Sequence, residues 1–372
     1  MPFYVTFHGG KATKTIPDPQ PYVVSYTPDK KGGWTVDSNV LKLPVPSQKH
    51  NELRDIQLGG DGNFYVVNAD KNASVIWQIP PKGAPSAGPA IFTQGAVPPC
   101  QPGNLSPAPV VSIDHPFGFA FNAAMDVCYV SNQDDNVVVA VYGPKAASPA
   151  VPGEPLPVNP WLLANFTTPP EFLPGTFVPS QTGFIPPCMI TSAAPPSVSS
   201  AQGGLAFSPS SGPPLANSVR GLALLSTTLF VADEVGNAIR VYDTTSVAAP
   251  SVINDPKGLI KSPTHLLLQG NMLYISVAGG SGATDAAVLS YDTSQGSGTA
   301  NTSLSAVVFG VKDPSGMTFD DATPPNFYLA NRTGQVVSQY DSKFHLLHQN
   351  YIPGPGKHPQ MQDQPEFILF VE

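Results

Sequence analysis

His265 and Asp55 are the side chains of this sequence best equipped to move a proton, and Arg54, Arg220 and Glu366 are the charged groups that fall at matching places along it. All five lie just inside the openings of six short apolar segments: "LRDIQL", "PFGFAF", "VRGLALL", "PTHLLL", "PSGMTF" and "PEFILF". With Pro116-Phe117-Gly118 as reference, the second position holds Arg54, Phe117, Arg220, Thr264, Ser315 and Glu366, and the third holds Asp55, Gly118, Gly221, His265, Gly316 and Phe367. A histidine with a carboxylate partner can activate water as a general base. Arginine can hold an anionic group or stabilise a developing oxyanion. On this reading His265 and Asp55 are base and orienter, Arg54, Arg220 and Glu366 complete the catalytic set, and Phe117, His115, Thr264 and Ser315 contact substrate. The other reading is that these polar groups fill a wet interior by pairing among themselves.

A second set closes the segments that follow: Asn68 in "FYVVN", Asn132 in "CYVSN", Asp233 in "FVAD" and Asn331 in "FYLAN", with Phe7 and Val277 at the other two places and His8 just beyond Phe7. Oxygen donors of this kind, with Glu366, suit a hard cation such as calcium. Asn and Asp are also ordinary turn residues, so both readings stay open. Histidine and cysteine spacings of recognisable zinc sites are absent, as are a Gly-x-Ser-x-Gly elbow and a phosphate-cradling loop leading into a helix. Too few histidines fall on the leading segments for an iron site of four axial histidines.

The elements that must position these residues recur. "HPFGFAFNAAMDVCYVSNQDDNVVVAVYG", "VRGLALLSTTLFVADEVGNAIRVYDT", "PTHLLLQGNMLYISVAGGSGATDAAVLSYDT" and "PSGMTFDDATPPNFYLANRTGQVVSQYDS" share one pattern, and "ELRDIQLGGDGNFYVVNADKNASVIWQI" follows it loosely. Each is three strand-like runs separated by turns and followed by a further apolar stretch such as "AIFTQG", "WLLANF" or "LSAVVFG". Four antiparallel strands per unit is the make-up of a propeller blade. The sixth copy is split, with "PEFILFV" at the end of the chain supplying the first strand and "FYVTFHGG", "PYVVSYTPD" and "TVDSNVLKL" supplying the rest. Pairing both ends of the chain in one sheet hides two otherwise open edges. The expectation is therefore an all-β, six-bladed β-propeller, closed by the N- and C-terminal strands in one blade and spanning residues 1–372 as a single domain. Its third strands are marked by Tyr26, Ile79, Tyr142, Tyr242, Tyr291 and Tyr340. Two stacked β-sandwiches would also give short strands and turns, but not a unit divided between the two ends. In a six-membered ring blades two and five are opposite, which would bring Asp55 and His265 face to face across the channel mouth.

The openings "HPFGFAF" and "DPSGMTF" and the second strands "CYVSNQ" and "FYLANR" resemble the NHL and YVTN propeller families. The resemblance covers most of the chain, and its motifs specify a blade; family members include hydrolases, lyases, lactonases and binding scaffolds. More distantly the chain is similar in outline to six-bladed calcium-dependent lactonases and phosphotriesterases, in which channel carboxylates and amides hold a metal that polarises a carbonyl. The longer signatures of that family are missing. The resemblance implies a hydrolase or lyase acting on a small ester, lactone or related molecule, with calcium a candidate cofactor at Asn68, Asn132, Asp233 and Asn331. The rival is a non-catalytic scaffold gripping a peptide, glycan or protein.

Composition narrows the partners. Only 12% of residues are charged, the formal net charge is -8, and Lys and Arg are nowhere clustered, which excludes a nucleic-acid footprint. No apolar run is long enough to span a bilayer, and the N-terminus lacks the features of a signal peptide. The expected setting is the cytoplasm and the expected partner a small-molecule substrate. Asn72, Asn104, Asn165, Asn301 and Asn331 head Asn-x-Ser/Thr sequons that matter only if a leader has been removed. Two Pro-rich connections are long: 96–114, and about 167–218, whose phenylalanines and aliphatics could pack as a lid over the mouth. Cys100 and Cys188 lie in these connections, free in the cytosol or bridged in an oxidising compartment, whereas Cys128 sits inside a strand.

Overall fold

A computed structural model describes residues 1–7, 23–29, 33–41, 52–70, 74–80, 90–94, 113, 115–133, 137–147, 152, 205–206, 219–245, 251–279, 285–296, 301–352 and 364–371. Among these, the strands form six four-stranded antiparallel sheets. The innermost strand of each sheet packs on those of its two neighbours, and the sixth returns to the first. The architecture is an all-β six-bladed propeller.

From axis to rim, blade one runs Pro365–Phe370, Phe3–Phe7, Val23–Pro28, Trp34–Leu41, and blade two Leu53–Leu58, Phe64–Asn68, Val75–Ile79, Ala90–Gln94. Blade three is Pro116–Phe121, Val127–Asn132, Val137–Tyr142, Leu205–Ala206, and blade four Val219–Leu225, Thr228–Asp233, Ala238–Asp243, Ser251–Val252. Blade five is Pro263–Gln269, Met272–Val277, Ala287–Asp292, Ser305–Phe309, and blade six Pro314–Phe319, Phe327–Asn331, Val336–Tyr340, Leu346–Ile352. The expected closure is present: Phe3 pairs with Phe370, Val5 with Ile368 and Thr6 with Phe367. The third-strand markers stand opposite the first or second residue of the second strand, as Tyr26 does opposite Phe3, Ile79 opposite Phe64 and Tyr340 opposite Phe327. Tyr142 likewise stands opposite Val127, and Tyr242 and Tyr291 stand opposite Leu229 and Leu273, one residue inside their second strands.

These segments are strands because they are rich in Val, Ile, Phe and Tyr and bounded by Gly, Asn and Asp turns. The second strands of blades one, two and six are buried at every residue, since neighbouring blades cover both faces and the sequence can be apolar throughout. At the rim of blade six, by contrast, Leu346 through Asn350 are exposed. Side-chain packing joins the blades. Among the described residues there are six apolar clusters, each spanning a junction between neighbouring blades. Each fully buried Leu, Ile or Phe contributes roughly 1.5–3 kcal/mol, so the ring is held mainly at these junctions.

One outer strand differs from expectation. The described outer strand of blade three is Leu205–Ala206, pairing with Val138 and Val137; "WLLANF", expected there, lies outside the described residues. Leu205 and Ala206 come from inside the stretch 167–218 that reads as a lid. A two-residue rim ladder needs little apolar pattern, so the sequence hardly marks it. The remainder of that stretch, most of 96–114, Cys100, Cys188 and His8 lie outside the described residues. Cys128 is buried, as its place in a strand implied. Among the described residues no helix is long and apolar enough to cross a membrane.

Candidate functional site

The same irregularity recurs at the opening of every innermost strand. The ladder to the second strand slips between Leu53 and Ile56, Pro116 and Phe119, Val219 and Leu222, Pro263 and His265, and Pro314 and Met317, with a matching shift at Pro365 in blade one. Bulges bend a strand and re-aim its side chains. These six bulges leave main-chain groups needing new partners. Hydroxyls meet part of that need: Ser131 Oγ accepts from Gly118 N at 2.9 Å, Ser276 Oγ from His265 N at 3.0 Å and Thr6 Oγ1 from Phe367 N at 3.1 Å.

Neighbouring innermost strands come closest at these bulges. A Cβ on Gly221 would stand 2.8 Å from His265 Cα, and one on Gly316 would collide with Phe367 Cα, so glycine is required there by proximity. Elsewhere a side chain stitches one blade to the next. Thr6 Oγ1 donates to Arg54 O at 2.7 Å, Thr264 Oγ1 to Pro314 O at 3.1 Å and Ser315 Oγ to Glu366 O. Thr264 and Ser315, expected to touch substrate, are thus buried fasteners between blades.

At the axis, rings from three non-adjacent blades meet. Phe117 of blade three lies 5.7 Å from Phe367 of blade one, and Phe367 lies 4.7 Å from His265 of blade five, both pairs edge-to-face. Around this plug, blades two, four and six each contribute an arginine and a carboxylate. Arg54 Nη1 bonds Glu366 Oε1 at 2.7 Å while Nη2 lies 3.4 Å from Glu52 Oε2. Arg220 donates through Nε to Glu234 Oε2 at 2.7 Å and through Nη1 to Gln133 Oε1 at 3.0 Å. Arg332 Nε is 2.8 Å from Glu366 Oε2, and its Nη1 is 3.8 Å from Asp313. The guanidinium carbons of Arg54 and Arg220 stand 5.2 and 4.7 Å from the centroid of Phe117, within cation–π range. Burial lowers the Arg220 pKa, while Glu366 raises that of Arg332. Burial raises the Asp313 carboxyl, with Arg332 opposing it.

The histidine–carboxylate pair at this mouth is not the expected one. Asp55 is buried at the junction of blades two and three, where its Oδ2 accepts from Gln57 Nε2 at 2.9 Å and from Phe119 N at 3.2 Å. Burial pushes its carboxyl up to about 7. His265 packs on Phe367, its Nδ1 is buried without a hydrogen bond, and burial lowers its pKa to about 3, so the ring stays neutral. No hydrogen bond joins the two. Instead His115 Nε2 lies 3.1 Å from Glu52 Oε2, beside Arg54 and Phe117. His115, Ser262 and Asp313 each precede an innermost strand with left-handed φ of 47, 47 and 50°. Their carbonyls accept from Gln133, Ala278 and Arg332 at 3.1, 3.0 and 3.1 Å, and such backbone persists only where the surroundings hold it.

The second ring is likewise displaced by one residue. Asn68 Oδ1 accepts from Glu52 N and Asp70 N, Asp233 accepts from Gly236 N and pairs with Arg240, and Asn331 Nδ2 donates to Ser338 Oγ. Asn132 is buried at the end of its strand. It is the next residue, Gln133, Glu234 or Arg332, that joins the mouth, because side chains alternate direction along an extended chain. Among the described residues no three of His, Cys, Asp and Glu are grouped to hold a metal ion; the oxygens of Asn68 and Asp233 are taken up by neighbouring main-chain N–H groups, whereas Asn331 Oδ1 is buried without a hydrogen bond. Arg332 and Glu234 were missed from the sequence, although each directly follows a recognised residue, and Glu52 was missed although the repeat aligns it with His115.

No protein-family model matches the chain, and no curated protein matches it. Solved structures do match. A chain of a nidogen/laminin complex aligns with a TM-score of 0.55 at 9% identity, over 99% of this chain and 97% of that one. A candidate 6-phosphogluconolactonase from Bacteroides uniformis gives 0.50 at 11% identity, over 99% and 85%. Virginiamycin B lyase from Staphylococcus aureus gives 0.46 at 10% identity, over 87% and 76%. At such identities the likeness shows the fold and assigns no activity. By fold the chain is a six-bladed β-propeller.

Proposed function

We propose that the protein is a small-molecule hydrolase or lyase working at the channel mouth, with His115 as general base, Glu52 as its orienting carboxylate, and Arg54 and Arg220 as donors to a carbonyl or enolate oxygen. The observation that carries this reading is the 3.1 Å contact between His115 and Glu52 beside Arg54. Glu52 fixes the imidazole and stabilises its cation while it holds a proton. In hydrolysis His115 takes a proton from water as the water oxygen attacks the carbonyl carbon. The carbonyl electron pair moves to oxygen facing the guanidiniums, then returns to expel an alkoxide, which takes the proton from His115.

Charge narrows the substrate. The three guanidiniums of Arg54, Arg220 and Arg332 face four carboxylates, Glu52, Glu234, Asp313 and Glu366. With no surplus of positive charge among the described residues, a neutral ester or lactone suits the mouth better than the anion that arginines alone imply. A panel of neutral lactones and esters tests this. Wild type should turn over at least one, and His115→Gln should lose about 100-fold in kcat/KM with its thermal melt unchanged. Absence of turnover across the panel would favour the second reading, a binding scaffold, which draws support from the fact that each mouth arginine is already seated on a carboxylate.

A further inference from the structure

Glu366 is fully buried, so it cannot touch a substrate, yet it lies between two guanidiniums in the strand that closes the ring. Burying an ion triad is no more stabilising than filling the same space with apolar side chains, as Phe117 and Phe367 do alongside it. Its contacts continue to the imidazole. Glu366 Oε1 holds Arg54 Nη1 at 2.7 Å, Arg54 Nη2 reaches Glu52 Oε2 at 3.4 Å, and that same oxygen meets His115 Nε2 at 3.1 Å. A second tie from the seam fixes the main chain of the middle member. Thr6 Oγ1 donates to Arg54 O at 2.7 Å and accepts from Phe367 N at 3.1 Å. Both strands that zip the ring shut therefore grip Arg54, one by its side chain and one by its backbone.

We propose that Glu366 is a positioning residue for His115, acting through Arg54 and Glu52, so that the closing strand sets the geometry of the mouth as well as locking the ring. Glu366 draws the Arg54 fork toward the axis and leaves Glu52 shared with His115. Without the Glu366 carboxylate, Arg54 is free to turn onto Glu52 and compete with the imidazole for the same oxygen. The catalytic consequence rests on the reading of His115 as the base; the geometric relay does not.

The test uses the full chain with ring-15N histidine, the His115 resonances being assigned with His115→Gln. Two-bond ring correlations report which nitrogen carries the proton. In wild type and in Glu366→Asp the Nε2–H form should predominate, and in Glu366→Gln it should give way to a mixture, as in Glu52→Gln. Arg54→Lys is the second probe, because a point-like ammonium cannot span two carboxylates as the guanidinium fork does; it should produce the same mixture. A variant that loses its cooperative melt is set aside and the other decides. With an active substrate in hand, Glu366→Gln should lower kcat about tenfold or more at nearly constant KM. His115 signals unchanged in Glu366→Gln and Arg54→Lys while Glu52→Gln shifts them would overturn the relay. Absence of turnover in wild type would instead count against the enzymatic reading and leave the resonance result standing.

Discussion

Replacing Asp55 with asparagine separates two buried ionisations that offset one another in the intact chain. Burial holds the Asp55 proton up to about pH 7, whereas an ordinary aspartate releases it near 3.8. Between those values the folded chain carries a proton that the unfolded chain does not. The stabilisation from this residue is therefore complete below 3.8 and is lost as pH rises through about 7. At roughly 1.4 kcal/mol per pH unit, that loss is about 4 kcal/mol. His265 runs the other way. Its pKa is lowered by burial from 6.5 to about 3, so the unfolded chain takes up the extra proton, and stability is complete above 6.5 and is lost as pH falls toward 3, by about 5 kcal/mol. Over most of the interval the two slopes nearly cancel. The assay is urea denaturation of wild type, Asp55→Asn and the double variant Asp55→Asn/His265→Phe from about pH 4 to about pH 8. Groups common to all three, such as the Asp61, Asp243 and Asp292 carboxyls with their lowered values, drop out of the differences. The stability of Asp55→Asn relative to wild type should climb by about 3–4 kcal/mol across that range, and the double variant should lose most of the pH dependence seen in Asp55→Asn. A difference curve that stays flat would refute the argument from burial.

Three further outcomes are expected. Gly221→Ala, whose Cβ would press on His265 Cα at 2.8 Å, should cost about 2–3 kcal/mol, read as a fall in melting temperature; an unchanged melt would mean that the innermost strands are not so close. Phe117→Ala removes a ring packed on Phe367 and faced by two guanidiniums, and should destabilise by about 3–5 kcal/mol in urea; under about 1 kcal/mol would contradict the axial plug. Asn301 and Asn331 are buried, with their amides donating to Asp292 O and Ser338 Oγ, so after expression through a secretory pathway mass spectrometry should find both without glycan.

The ring was legible because its evidence is repeated. Six copies of one strand pattern, with a tyrosine or isoleucine at the same place in each, over-determine the blade register, and a copy divided between the two ends has few explanations other than closure. The rim of blade three was not legible, since Leu205–Ala206 makes only a two-residue ladder that leaves almost no pattern to read. The site was half legible for a related reason. Alignment of the repeat identifies positions but not the direction in which a bulged strand points its side chains. Hence Arg54, Phe117, Glu366 and His115 gather around the axis, whereas Asp55 lies in a blade junction and His265 in the aromatic plug. Asn68 and Asp233 looked like ligands because turn residues and hard-cation ligands draw on the same side chains, and their hydrogen bonds show the turn use.

Pro2 and Val371 are joined by a main-chain hydrogen bond of 3.2 Å, so the point at which the circle is cut is geometrically arbitrary. A circular permutant, with those neighbours linked and a new break opened in a surface connection far from the axis, would keep every blade. In such a chain Glu366 and Arg54 would belong to one uninterrupted stretch of polypeptide. The support beneath the mouth would then no longer depend on two separate tails finding each other, and the entropic cost of bringing them together would move to a blade that carries none of the mouth's charged pairs.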